Sequence, residues 1–218
     1  MDEDTNHIRF FVASLTILAI TLSILAHLYS RFPGDLQLTL AFQSVHSNSL
    51  LVVMKVISYI TDGWRAAIIV IIGSIISWHR LGRLEGSLVM LAGLSTFTKE
   101  LFKVVINRPR PTADLVSVFV AESGKSFPSG HALFAVVVLG FLGYLAVTNQ
   151  HKHALRILTL STVPFLILWI GASRIYIGVH WVSDVIGGYV IGSLFLVMLI
   201  WLYQILKSRF RARRLYEK

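Results

Sequence analysis

Seven polar side chains, carried by three short stretches of an otherwise apolar chain, are of types that could do chemistry together. The stretches are Lys103-Val-Val-Ile-Asn-Arg-Pro-Arg110-Pro111, Phe127-Pro-Ser129-Gly130-His131 and Ser173-Arg174-Ile-Tyr-Ile-Gly-Val-His180-Trp-Val-Ser-Asp184. Lys103, Arg110 and Arg174 are suited to holding a phosphate, and His131 or His180 to attacking it. Charges at membrane depth are costly and mark function.

Pro128-Ser129-Gly130-His131 has the form of a helix start. Serine is a favoured N-cap, and the first amides and positive end of a helix accept anions. A plain capped helix is the alternative reading. His131, in the first turn, can reach whatever those amides hold. Pro109 and Pro111 stiffen the chain around Arg110, whose planar fork suits bidentate contacts to oxygen. Lys103 adds a mobile charge, or snorkels toward headgroups from a helix end. Arg108 is open to a headgroup reading. His180 and Asp184 are four residues apart and share a helix face. A carboxylate accepting the proton on one imidazole nitrogen leaves the other as a lone-pair donor, the orienting half of a nucleophilic triad with histidine as nucleophile. A structural His–Asp pair is the alternative. His131, His180 and Asp184 could also form a two-histidine, one-carboxylate metal site, but Lys103, Arg110 and Arg174 would repel a divalent ion.

The elements that must position these groups are membrane helices. The 218 residues are 55% hydrophobic and 14% charged, with a mean hydropathy of +0.71. A soluble domain carries about 25% charged residues. The apolar residues fall in long runs, and a spanning helix needs roughly 20 of them. Six candidates emerge: Ile8–Tyr29, Trp64–Trp78, Leu84–Ile106, His131–Thr148, Ala154–Tyr176 and Trp181–Leu206. Leu50–Ile60 looks interfacial because of its Lys55 and the adjacent Asp62. Pro164 is expected to kink the fifth helix, and Gly188 and Gly192 to allow close helix packing within the bundle. The expectation is an all-α fold: a six-helix transmembrane bundle, one integral-membrane domain over residues 1–218, with its active site at the outer membrane interface. The absence of cysteine excludes disulfides and thiolate chemistry.

The Lys/Arg distribution sets the orientation. With Arg80, Arg83, Lys152, Arg156 and the basic tail 207–218 in the cytoplasm, both termini lie inside. All three motifs then fall on the periplasmic or extracellular side of the cell membrane. The formal charge of +9 is concentrated in that juxtamembrane tail and reads as an anchor to anionic headgroups, not as a nucleic-acid surface. The sequence leaves the oligomeric state open.

Together the three stretches resemble the signature motifs of the type 2 phosphatidic acid phosphatase superfamily, integral-membrane lipid phosphate phosphatases: K-x6-RP (Lys103, Arg110, Pro111), PSGH (Pro128 to His131) and SR-x5-H-x3-D (Ser173, Arg174, His180, Asp184). The likeness is shared about equally between phosphatidylglycerophosphatase B-like and polyprenyl diphosphate phosphatase members. It implies that His180 forms a phosphohistidine, that Asp184 orients it, and that His131 is the general acid and then activates water. Lys103, Arg110, Ser129, Gly130 and Arg174 would bind the phosphoryl oxygens. The resemblance implies no metal and no cofactor, and a lipid substrate such as phosphatidylglycerol phosphate, phosphatidic acid or undecaprenyl diphosphate. A phosphotransferase of the same superfamily, or a lipid-binding or transporting protein on this scaffold, would be the alternatives. A headgroup contact by Glu122 or Lys125 also comes into view.

Overall fold

A computed structural model describes residues 3–216; Met1 and Asp2 of the acidic N-terminus, Glu217 and Lys218, and the tail side chains from Arg211 onward lie outside the described residues. The described chain is helical with no strand. The helices are α1 (Glu3–Leu28), α2 (Asp35–Gln43), α3 (Asn48–Ile60), α4 (Gly63–Arg80), α5 (Arg83–Ser95) and α6 (Thr98–Ile106). They are followed by α7 (Gly130–Asn149), α8 (His153–Tyr176) and α9 (Val182–Tyr216). The chain is a membrane protein: α1, α7, α8 and α9 are each long and apolar enough to cross a bilayer. The bent pair α2–α3, folded by 119°, adds a fifth such unit if it counts as one span. Length and apolarity therefore show four or five spans, where six single helices were expected.

The expected helix Leu84–Ile106 is in fact two. At the break, Ser95, Thr96 and Thr98 donate their hydroxyls back to the carbonyls of Ala92, Gly93 and Ser95 at 2.6–2.8 Å. Such bonds offer the backbone an alternative to the helical ladder, and the chain turns there before α6. By contrast, α8 runs through Pro164 as one helix, and Leu50–Ile60 forms a helix of its own, α3.

Burial ranks the helices. Within the most apolar 18-residue stretch of each span, 67% of α7 is buried, against 11% of α1 and of α8. Leu133, Val137, Val138 and Phe141 of α7 meet Val89 of α5 and Ile191 of α9 in the core. The outward faces of α1, α4 and α8 carry exposed Ile, Leu and Phe side chains, as lipid-facing helices do. Two glycines let α9 lie against the start of α7. A Cβ at Gly188 would fall 2.7 Å from the Ser129 carbonyl oxygen, and one at Gly192 3.0 Å from Val136 Cβ. The small-residue face thus serves packing within the bundle, as expected. It also fixes where Ser129 and His131 stand relative to Asp184.

Candidate active site

Residues from distant parts of the chain meet where α7 and α9 begin, α8 ends and the segment 107–129 crosses. Gly178 makes that crossing possible. It sits at φ +77°, and a Cβ there would lie 2.1 Å from the Ser117 carbonyl oxygen. Gln43 of α2 ties the same junction, donating to the Ser117 and Tyr176 carbonyls at 2.7 and 3.0 Å.

His180 is 1% exposed and lies between α8 and α9. Its Nδ1 is 3.3 Å from Ser126 Oγ and 3.6 Å from Asp184 Oδ2. The second distance is too long for a hydrogen bond. Ser126 fills the gap: its hydroxyl donates to Asp184 Oδ2 by a short bond and is placed to accept from Nδ1–H. The other ring nitrogen, Nε2, is 3.2 Å from Arg110 Nη1. A guanidinium can only donate, so Nε2 carries the lone pair. Burial first, then the charges of Arg110 and Arg174, hold the His180 pKa well below its ordinary 6.5. The imidazole is therefore neutral at neutral pH.

Asp184 is fully buried and multiply held. It accepts from the Trp181 amide at 2.8 Å and from Arg108 Nη1 at 2.5 Å, and its carbonyl accepts from the Ser129 amide at 3.0 Å. Arg108 is not at the headgroups; it is 1% exposed. Its guanidinium also donates to Ser183 Oγ and Asp35 Oδ2, both at 2.8 Å, and stacks 4.6 Å over the Phe32 ring. Asp35 in turn accepts from the Ser183 amide at 2.9 Å and hydroxyl at 2.7 Å. A carboxylate–guanidinium–carboxylate chain thus braces the helix that carries Asp184. A buried ion pair persists only with this degree of hydrogen bonding.

Arg110 and Arg174 converge on one anion, the Glu122 carboxylate. Arg110 Nη2 donates to Glu122 Oε1 at 3.0 Å, and Arg174 Nη2 to Oε2 by a short bond. Burial alone would push the Glu122 carboxyl up, but the Arg174 and Arg110 charges hold it below the usual range. Arg174 also donates to Ser58 Oγ; among the described residues its buried Nε has no partner. Lys103 is largely buried and 3.8 Å from Glu100, and its charge reaches His180 and Glu122. Ser129 caps α7 as expected, its hydroxyl accepting from the Ala132 amide at 3.5 Å.

His131 stands apart from this knot. Its Nε2 is 3.2 Å from the Ser58 carbonyl and 3.7 Å from Asp62 Oδ1. It lines a cavity of about 450 Å³ together with Asp62, Lys99, Gly130, Val70, Met90 and Ile71. A second cavity, of about 490 Å³, opens beside Arg174 and Glu122 and is lined by Lys55, Tyr59 and Arg65. Asp62 belongs to both. Sequence reasoning missed Ser126, Asp35, Ser183, Ser58, Asp62 and Lys99, and misread Arg108. The spacing of Arg108 within Arg-Pro-Arg-Pro was the one signal available.

Comparison with known proteins identifies the family. Residues 85–208, more than half of the chain, match the PAP2 superfamily. Phosphatidylglycerophosphatase B of Bacillus subtilis is 34% identical over 131 residues, 58% of this chain and 62% of that protein. The chain therefore matches about three fifths of that relative's length. Undecaprenyl-diphosphatase of Sulfolobus acidocaldarius is 29% identical over 119 residues, 53% of each. The crystal structure of the transmembrane PAP2-type phosphatidylglycerolphosphate phosphatase from Bacillus subtilis superposes with a TM-score of 0.74 and 26% identity, covering 88% of this chain and 96% of that one. With the motif residues gathered at one end of a helical bundle and this match spanning most of its length, the chain belongs to the PAP2 superfamily.

Proposed function

We propose that this protein removes the terminal phosphate of a membrane lipid phosphate or diphosphate through a phosphohistidine on His180. The observation that carries the reading is a neutral imidazole whose lone-pair nitrogen lies 3.2 Å from an arginine that, with Arg174, already grips an anionic group. In the first step His180 Nε2 attacks phosphorus. The N–P bond forms as the P–O bond to the lipid breaks, and the electron pair stays on the lipid oxygen. His131 gives that oxygen its proton. Ser126 and Asp184 stabilise the imidazolium through Nδ1. In the second step His131 takes a proton from water, which attacks phosphorus and releases His180 and inorganic phosphate. Arg110, Arg174, Lys103 and the first amides of α7 offset the charge on the equatorial oxygens, the task a metal ion performs in other phosphoryl transfers.

The names of the relatives support phosphatidylglycerol phosphate and undecaprenyl diphosphate as substrate types. The Lys/Arg asymmetry supports cytoplasmic termini and a site on the opposite, outer face of the cell membrane. The purified chain, assayed in detergent with a lipid phosphate panel and chelator present, tests the proposal. His180→Ala is expected to lower phosphate release by more than about 10³-fold while the protein stays folded. Unchanged release in that variant overturns the nucleophile assignment.

A further inference from the structure

The motif accounts for one lysine of α6, and the structure places a second beside it. Lys99 lies one turn before Lys103, and the two share Glu100 as their nearest acid, at 3.9 and 3.8 Å. Like charges four apart on a helix repel, and Glu100 is too exposed, at 59%, to offset both. Lys99 lines the cavity beside His131, and Lys103 does not. The Lys103 charge is among the leading influences on His180 and Glu122, and that of Lys99 among those on His131. The Lys99 side chain crosses the start of α7 so closely that a Cβ on Gly130 would lie 2.7 Å from Lys99 Cδ and 3.2 Å from Nζ. Gly130 thus leaves room for an ammonium at the amide end of the helix.

The cavity beside His131 says which part of a substrate meets that ammonium. Its charged and titratable lining is Asp62, Lys99 and the motif residue His131. Apart from Thr61 and Thr96 the rest is largely apolar, and Ile71 lies eight residues along α4 from Gly63, about 12 Å at helical rise. A hydrocarbon tail fits that apolar part, and Arg110, Arg174 and His180 take the transferred phosphoryl group. Between them, against His131 and Lys99, lies the leaving group. In a lipid monophosphate that group is one ester oxygen. In a lipid diphosphate it is a second phosphate, whose charge grows as the bridging bond breaks.

We propose that Lys99 and the start of α7 form a subsite for the tail-side phosphate of a lipid diphosphate, which makes Lys99 the residue that favours diphosphates over monophosphates. The proposal rests on the reading of His180 as nucleophile and His131 as acid. As the His180 N–P bond forms and the bridging P–O bond breaks, the electron pair stays on the tail-side phosphate, where the Lys99 ammonium offsets it.

The test uses diacylglycerol diphosphate and phosphatidic acid of identical acyl chains, two substrates that differ by one phosphate. The purified full chain is assayed in detergent as wild type, Lys99→Ala and Lys99→Arg. Lys99→Ala is expected to lower the diphosphate-to-monophosphate ratio of kcat/KM by at least about tenfold, the scale of one charge-assisted hydrogen bond. Lys99→Arg is expected to retain most of the ratio. A ratio unchanged in Lys99→Ala, with both substrates falling together or neither falling, overturns the subsite. His180→Ala separates this from the parent reading: phosphate release that persists there sinks the nucleophile, whereas release that needs His180 with an unchanged ratio sinks the Lys99 subsite alone.

Discussion

The two histidines of the site are held in opposite ways. Around His180 every neighbour is fixed by another: Ser126 by Asp184, Asp184 by Arg108 and the Trp181 amide, Arg108 by Asp35, and Asp35 by Ser183. Around His131 there is one carbonyl at 3.2 Å, one half-exposed carboxylate at 3.7 Å and a cavity. Attack on phosphorus demands a fixed line of approach, because misplacement is costly. Delivery of a proton to a leaving oxygen must accommodate lipids whose headgroups differ. Under the proposed roles, rigidity is concentrated where the reaction would be the same for every substrate, and looseness where substrates would vary.

Substitutions on the two sides can break or sharpen that contrast. The largest effect is expected at His131: its alanine variant should lose about 10²–10⁴-fold in kcat on an alkyl phosphate. The same variant should lose far less on an aryl phosphate, whose leaving group needs no proton. Equal losses on both would remove His131 from the acid role. Next comes Arg108→Leu, which leaves two buried carboxylates without their cation and should cost about 3–5 kcal/mol of stability, read as a lowered thermal midpoint in detergent. A stable Arg108→Leu protein would show that the brace is dispensable.

A smaller effect concerns pH. The depressed His180 pKa keeps the nucleophile neutral until pH falls below its ordinary 6.5, so the acid limb of kcat/KM belongs there. Glu122 is the one negative charge that raises that value among its leading causes. Glu122→Gln should therefore move the acid limb to still lower pH; a shift upward would assign the limb to another group. The smallest change is expected for Asp62→Asn, no more than about fivefold in kcat, the scale of an exposed ion pair. A loss as large as that of His131→Ala would show that His131 is as tightly governed as His180.

The sequence exposed what local spacing controls. His180 and Asp184 are four residues apart, although His180 precedes α9 instead of sharing its face; Ser129 caps the helix that carries His131, and Arg110 lies between prolines; each relation spans only a few residues. What stayed hidden depends on contacts across the fold. Asp35 and Ser183 are 148 residues apart, Arg174 and Ser58 116, and no periodicity links them. Arg108 was misread for the same reason, since its burial depends on partners in α2 and α9. The helix break at Ser95–Thr98 had a local signal in Ser95, Thr96, Thr98, Lys99 and Glu100, which was bridged because apolar residues flank it on both sides. The Ser126 bridge was invisible because the His–Asp spacing already looked sufficient.

Asp62 stands in the wall shared by the two cavities, one greasy and one lined by Lys55 and Arg65. Under the proposed chemistry the apolar cavity would suit the spent lipid and the basic one the freed anion. Sorting by polarity would keep either product from backing out over the other. A bilayer crowded with product lipid would then congest one cavity and leave the second clear.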